Sequence, residues 1–112
     1  MPDLASKKCV PCEVGTPPLT KTEAEKCLKE VSKWELVEDE EKLKIRKRFK
    51  FANYMEGIGF VNKVAKLAES EDHHPDLFVG YQKVTVNLIT HVIGGLSEND
   101  FIMAAKIDKI TP

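Results

Sequence analysis

The stretch from Leu43 to Phe51 restricts the possible folds more than any other part of the chain. Leu43, Ile45, Phe49 and Phe51 alternate with Lys44, Arg46, Arg48 and Lys50. A period of two sends successive side chains to opposite faces of a strand, so the run predicts a sheet with one apolar and one charged face. Lys47 breaks the pattern by falling on the apolar side, and is expected near the strand's exposed edge. Just upstream, Trp34-Glu35-Leu36-Val37 is short and β-prone. The acidic run Glu38-Asp39-Glu40-Glu41 between the two forms the turn of a hairpin.

The rest of the chain switches between helical and extended patterns. Residues 1–18 read as an irregular arm, broken by Pro11, Gly15, Pro17 and Pro18. Thr20 and Glu23 form a capping-box pattern. Ala24, Cys27, Leu28 and Val31 follow at helical spacing, which predicts a helix over 21–33. Asn53 and Glu56 make a second cap-like pair, and Met55, Ile58, Val61, Val64, Ala65 and Ala68 carry a helix over 54–69. Gly57 and Gly59 inside it each cost about 1 kcal/mol relative to alanine, which implies close packing on the sheet. Residues 77–80 and 84–91 read as two strands joined by a turn near 81–83, with His91 projecting from a strand end. Gly94-Gly95 ends the second strand. Ser97 then caps a last helix, with Asp100 three residues on and Leu96 and Phe101 at the hydrophobic-staple positions. Ile102, Ala105, Ile107 and Ile110 continue it to the C-terminus.

The order α-β-β-α-β-β-α gives an α+β fold, a four-stranded antiparallel sheet with three helices on one face. One domain covers residues 19–112, and 112 residues suit a single core. The sheet's second face stays open, so a homodimer or homotetramer is expected.

Charge and cysteine usage exclude several function classes. The formal net charge of -1 supplies no bulk field for nucleic acid or membrane. No apolar run approaches the ~20 residues of a membrane span. Met1 to Lys8 lacks the apolar core of a secretory signal, so a cytoplasmic address is expected. The basic face of Lys42, Lys44, Arg46, Arg48 and Lys50, with Lys47 beside it, reads as a solvated face or a subunit contact, with no direct nucleic acid binding. Aromatics do not interleave on that face, and the acidic turn offsets its field. Cys9 and Cys12 form a lone CxxC with no second ligand pair and no histidine nearby, and read as incidental thiols. Cys27 fits the apolar face of the first helix.

The chemistry concentrates around three histidines. His73 and His74 are adjacent, followed by Pro75 and flanked by Glu69, Glu71, Asp72 and Asp76, and His91 closes the next extended run. Histidine exchanges protons near neutral pH, and neighbouring carboxylates orient its ring or set its charge. Pro75 biases His74 toward an extended conformation, so the pair sits on a stiff corner. Such a cluster suits general acid-base catalysis or a metal site. Adjacent histidines point to opposite sides of an extended chain, which makes one shared metal awkward. No serine or cysteine nucleophile motif and no phosphate-binding glycine loop accompanies them.

The spaced combination of Asp72-His73-His74-Pro75, Thr90-His91, and Gly95-Leu96-Ser97 with Asp100 resembles the pterin-4a-carbinolamine dehydratase family. Trp34, Phe49-Lys50-Phe51, Gly59-Phe60, Glu69, Tyr81, Val84 and Leu88 match as well. The resemblance covers residues 19–110 and leaves the CxxC arm outside. It implies an αββαββα fold and dehydration of a 4a-hydroxytetrahydropterin to the quinonoid dihydropterin, a step of tetrahydrobiopterin recycling. It also implies that His73, His74 and His91 line the pterin pocket; from the needs of the reaction, His73 and His91 are expected as acid-base groups and His74 as positioning the substrate. Glu69, Asp72, Pro75 and Asp100 would contact substrate, with Asp72 or Glu69 orienting an imidazole, and Trp34 would serve as core or pocket wall. Asp100 can also cap its own helix. No metal and no organic cofactor is called for. A second reading is a protein-binding role, since some animal relatives act as dimerisation cofactors of a transcription factor. A third is a small metalloprotein using His73, His91 and the cysteines.

Overall fold

The computed structural model describes Leu4, Cys9 and residues 16–110 except positions 32 and 41. Along the chain lie α1 (Lys21–Leu28), β1 (Glu35–Asp39), β2 (Lys42–Lys50), α2 (Tyr54–Glu71), β3 (Asp76–Val79), β4 (Lys83–Leu88), a 3-10 turn (His91–Ile93) and α3 (Glu98–Ile110). The expected order α-β-β-α-β-β-α is therefore the observed one. All strand pairs are antiparallel, in the spatial order β1-β2-β4-β3.

The period of two in β2 fixes which face is buried. Leu36, Ile45 and Leu88 stand in one cross-strand row, and Val79, Val84 and Phe49 in another. Ile45, Val84, Val86 and Leu88 are fully buried beneath Phe60, Val64 and Ala68 of α2 and Phe101, Ile102 and Ile107 of α3. Each such aliphatic or aromatic side chain contributes about 1.5–3 kcal/mol on burial. All three helices lie on this face, and Lys44, Arg46 and Arg48 point from the other.

Lys47 corrects the reading that put it near an exposed edge. β2 is an interior strand, bonded on both sides, so Lys47 opens onto the helices. Its ammonium lies 2.7 Å from Asp108 Oδ1 of α3 and 4.9 Å from the centroid of the Phe49 ring. Trp34 Nε1 donates to the same carboxylate at 3.1 Å. A cation on the core face is tolerated because an acid and two aromatic faces meet it there.

Element ends differ from expectation for local reasons. α1 stops at Leu28 rather than 33, because Glu30 and Val31 form tighter three-residue bonds to Cys27 and Leu28, and Lys33 takes a left-handed φ of 65°. Its capping box is present, with Glu23 N–H donating to Thr20 Oγ1 and Thr20 N–H to Glu23 Oε1. The hairpin turn is shorter than the acidic run, since Glu38 and Asp39 belong to β1. α2 runs two residues past Glu69. β4 ends at Leu88, three residues before His91: its ladder to β3 stops at Asn87, opposite Asp76, and its ladder to β2 at Leu88, opposite Ile45. Of the N-terminal arm, Leu4 is buried in the core and Cys9 packs against it; Cys12 lies outside the described residues.

Candidate active site

The site begins where α2 stops. Asp72 takes φ 53° and ψ 41°, and the amides of both Asp72 and His73 donate to Ala68 O. This left-handed step ends the helix and turns the chain sharply. Successive side chains of an extended segment then alternate. His73 turns inward and is 11% exposed, whereas His74 turns outward and is 55% exposed.

His73 Nε2 lies 2.7 Å from Asp100 Oδ1. Asp100 sits in the first turn of α3 and its side chain is fully buried. Its other oxygen, Oδ2, accepts from Thr90 Oγ1–H at 2.8 Å and from Ser97 N–H at 3.0 Å. Ser97 Oγ lies 2.8 Å from Thr90 Oγ1 and accepts from Asn99 N–H at 3.2 Å. Asp100 is thus both helix cap and histidine partner. A buried carboxylate is tolerable only with such donors around it.

The other two histidines face solvent. His74 Nε2 meets Glu69 Oε2 at 2.7 Å, one turn back in α2. His91 is not on a strand but opens the 3-10 turn, whose ends are clipped by Thr90 N–H donating to Gly95 O at 2.8 Å. Gly94 supplies a left-handed φ of 65° in that turn. His91 Nε2 lies 3.9 Å from Asp76 Oδ2, and its side chain is 68% exposed.

A cavity of about 210 Å³ opens beside His91, lined by Asp39, Glu40, Lys42, Lys44, Asp76, Ile89 and His91. Neither His73 nor His74 lines it. Two larger cavities, of about 380 and 370 Å³, hold no histidine and gather around Phe51, beyond the other end of β2. The residues singled out in the sequence therefore divide. His73 and Asp100 meet, and Thr90 links them to His91 along the chain. His74 and Glu69 meet at the surface. Asp72 supplies the backbone turn, and Pro75 leads into β3. Trp34 belongs elsewhere: its indole bonds to Asp108, eight residues from Asp100 along α3 and so about 12 Å away.

Sequence reasoning missed the roles of Thr90 and Ser97 as donors that hold Asp100, although both lie inside the motif. It also missed a second cluster behind the corner. Glu71 accepts from Cys9 N–H at 2.8 Å and pairs with Lys106 at 3.0 Å. The Cys9 amide, then Lys106, hold the Glu71 carboxyl below its ordinary range. Burial first, then Glu71, push the Cys9 thiol up to about 12. That thiol stays protonated near neutral pH and is a weak nucleophile. Among the described residues, no group of three or more His, Cys, Asp or Glu is placed to hold a metal ion, and no helix is long and apolar enough to cross a membrane.

Residues 17–110 match the family described as pterin 4 alpha carbinolamine dehydratase. A Nitrosomonas eutropha protein that carries the name pterin-4-alpha-carbinolamine dehydratase is 51% identical over 109 residues, 96% of this chain and 93% of its own. A Rubrobacter xylanophilus protein of the same name is 42% identical over 110 residues, 98% of this chain and 100% of its own. The crystal structure of a transcriptional coactivator/pterin dehydratase from Brucella melitensis is similar with a TM-score of 0.77 at 34% identity, covering 85% of this chain and 99% of that one.

Proposed function

This chain belongs to the pterin-4a-carbinolamine dehydratase family, and from that premise we propose that it converts 4a-hydroxytetrahydrobiopterin to quinonoid dihydrobiopterin and water by histidine acid-base catalysis. It is a hydro-lyase of the pterin class. The observation that carries the finer reading is the buried His73–Asp100 pair at 2.7 Å, one residue from a helix stop and joined through Thr90 to His91.

Hydroxide is a poor leaving group, so the C4a oxygen needs a proton as its bond to carbon breaks. The ring nitrogen then supplies the electron pair of the new C=N bond, and a base takes a proton from the ring. Positioned acids and bases give about 10²–10⁴-fold each in such steps. In this reading His73 and His91 exchange the protons. His74, held by Glu69, positions the pterin, while Asp72 and Pro75 set the chain's direction. Trp34 is assigned to the core. Single alanine changes at the three histidines test it, with dehydration rate and pterin affinity measured separately. Loss of turnover at His73 and His91 and loss of affinity at His74 support it. Unchanged dehydration in His73→Ala refutes it.

The reading includes a cytoplasmic location, checked by cell fractionation, and a homodimer or homotetramer. What supports the assembly is the sheet face that carries no helix, from which Lys44, Arg46 and Arg48 point and which a second copy would cover. Light scattering of the purified protein decides it. The name of the Brucella relative favours one second reading, a protein-binding coactivator role. A stable protein partner captured equally well by the triple histidine variant supports that role.

A further inference from the structure

We propose that the cavity at the far end of β2, lined by Lys50, Phe51, Tyr81, Gln82 and Lys83, is a second ligand site that takes a flat aromatic ring carrying an anionic group. The site stands apart from the histidines and does not need the dehydratase reading. Lys50 lies eight residues along β2 from Lys42, which lines the cavity beside His91, so about 26 Å of strand separates the two.

Strand register sets the charge at the mouth of this cavity. Lys50 of β2 and Lys83 of β4 stand directly opposite each other in an antiparallel pair. Their Cβ atoms are then about 5 Å apart on one face of the sheet, an arrangement in which like charges cost stability. That spacing is well inside the ~8 Å Debye length at physiological salt. Both lysines are exposed, and among the described residues neither meets a carboxylate. No acid is among the residues that line the cavity, although the whole chain carries a net charge of -1. Lys83 is also held in place. Gly80 N–H donates to Lys83 O at 2.8 Å, and the Lys83 stem folds over Gly80, its Cγ 3.1 Å from where a Cβ would stand. The absent side chain leaves room for that stem. An anion bridging the two ammonium groups removes the repulsion, and lysine binds such anions as a point charge.

The walls behind the lysines are apolar and pinned. The Phe51 ring is anchored against Phe60 of the core, with centroids 5.3 Å apart. Phe51 N–H donates to Gln82 O at 2.8 Å, and Gln82 Nε2 donates to Ala52 O at 3.0 Å. These two bonds clip the β3–β4 turn onto the link between β2 and α2. Tyr81 stands on that turn with 73% of its surface exposed, its ring 6.5 Å from that of Tyr54. An aromatic ring gains most when its face is covered, and the core does not cover this one. The cavity volume of about 380 Å³ is at the small end for ligand sites and suits one or two rings. An aromatic carboxylate and a nucleoside monophosphate share the required chemistry. A bare anion lacks the ring, and a neutral ring lacks the charge.

The test is ¹H–¹⁵N NMR titration of the full chain with benzoate and with AMP, beside neutral benzyl alcohol and adenosine and inorganic phosphate alone. The expected result is saturable shifts at the amides of Phe51, Tyr81, Gln82 and Lys83, with a Kd of about 1 mM or below for at least one aromatic anion. Its neutral counterpart and inorganic phosphate should bind at least about tenfold more weakly, and the triple histidine variant as tightly as the parent. Lys50→Gln and Lys83→Gln should each weaken binding about tenfold, the equivalent of one hydrogen bond to a charged group. Tyr81→Ala should weaken it about fivefold through lost stacking. Tighter binding of benzoate assigns the site to carboxylates, and tighter binding of AMP assigns it to nucleotides. Both lysines are exposed, so these variants keep the fold. Without ligand, Lys83→Gln should melt above the parent at low salt, because the opposed charge is gone. No saturable shift with either anion up to about 10 mM overturns the proposal. So does a neutral ring or bare phosphate that binds as tightly as the aromatic anion, or an unchanged Kd when both lysines are replaced. Binding lost in the triple histidine variant, or a Lys83→Gln protein that melts at or below the parent, overturns it too.

Discussion

Lys47→Met isolates the cation that β2 places on the sheet's core face. The substitution keeps the unbranched stem over the Phe49 ring and removes the ammonium. Asp108 then keeps the Trp34 N–H at 3.1 Å but loses a charged partner at 2.7 Å. Breaking a fully buried pair costs about 3–5 kcal/mol. Asp108 is 23% exposed, so water reaches the abandoned carboxylate and lowers that figure. A loss of roughly 2 kcal/mol is expected, close to one hydrogen bond to a charged group. Adding Asp108→Asn neutralises the stranded charge and still accepts from the indole. The double variant should therefore recover at least half of the loss. Urea unfolding of the parent, both single variants and the double variant gives the coupling directly, provided the slopes agree. A Lys47→Met protein as stable as the parent refutes the reasoning. Strict additivity of the two single effects does so as well.

Two further outcomes follow from local geometry. Glu71 has its folded pKa lowered by Cys9 N–H and Lys106, so its stabilisation is present above the ordinary carboxylate range and lost as pH falls through the depressed value. Glu71→Gln should be less stable than the parent at pH 7, with the gap closing in acid, as thermal melts at several pH values will report. Gly95→Ala should destabilise by about 1–3 kcal/mol, because the new Cβ would lie 2.7 Å from Pro18 Cβ. The strain falls on the Thr90–Gly95 bridge, so melting temperature and turnover should drop together.

Much of the architecture was legible because it is local. The period of two in β2 announced the buried face, and the Thr20, Asn53 and Ser97 caps announced three helix starts. What could not be read was set by distance. Lys47 looked like an edge residue because its answer, Asp108, lies 61 positions away. Helix ends moved because hydrogen bonds after Leu28 and the torsion at Asp72 leave little mark in composition. The histidine motif was visible, but not its pairing. The neighbouring acid Glu69 took His74, while His73 found Asp100 on another helix, 27 residues away. Sequence proximity of carboxylates to an imidazole is a poor guide once a turn sends adjacent rings to opposite sides.

The torsion at Asp72 gives protein engineers a single control point. Both imidazoles inherit their heading from that one peptide unit. Glycine tolerates the required rotation without a steric penalty, so a substitution there can retune local charge while leaving the aim intact. A valine or isoleucine would resist the same rotation by about 1–2 kcal/mol and swing the two rings off target together, without touching either of them.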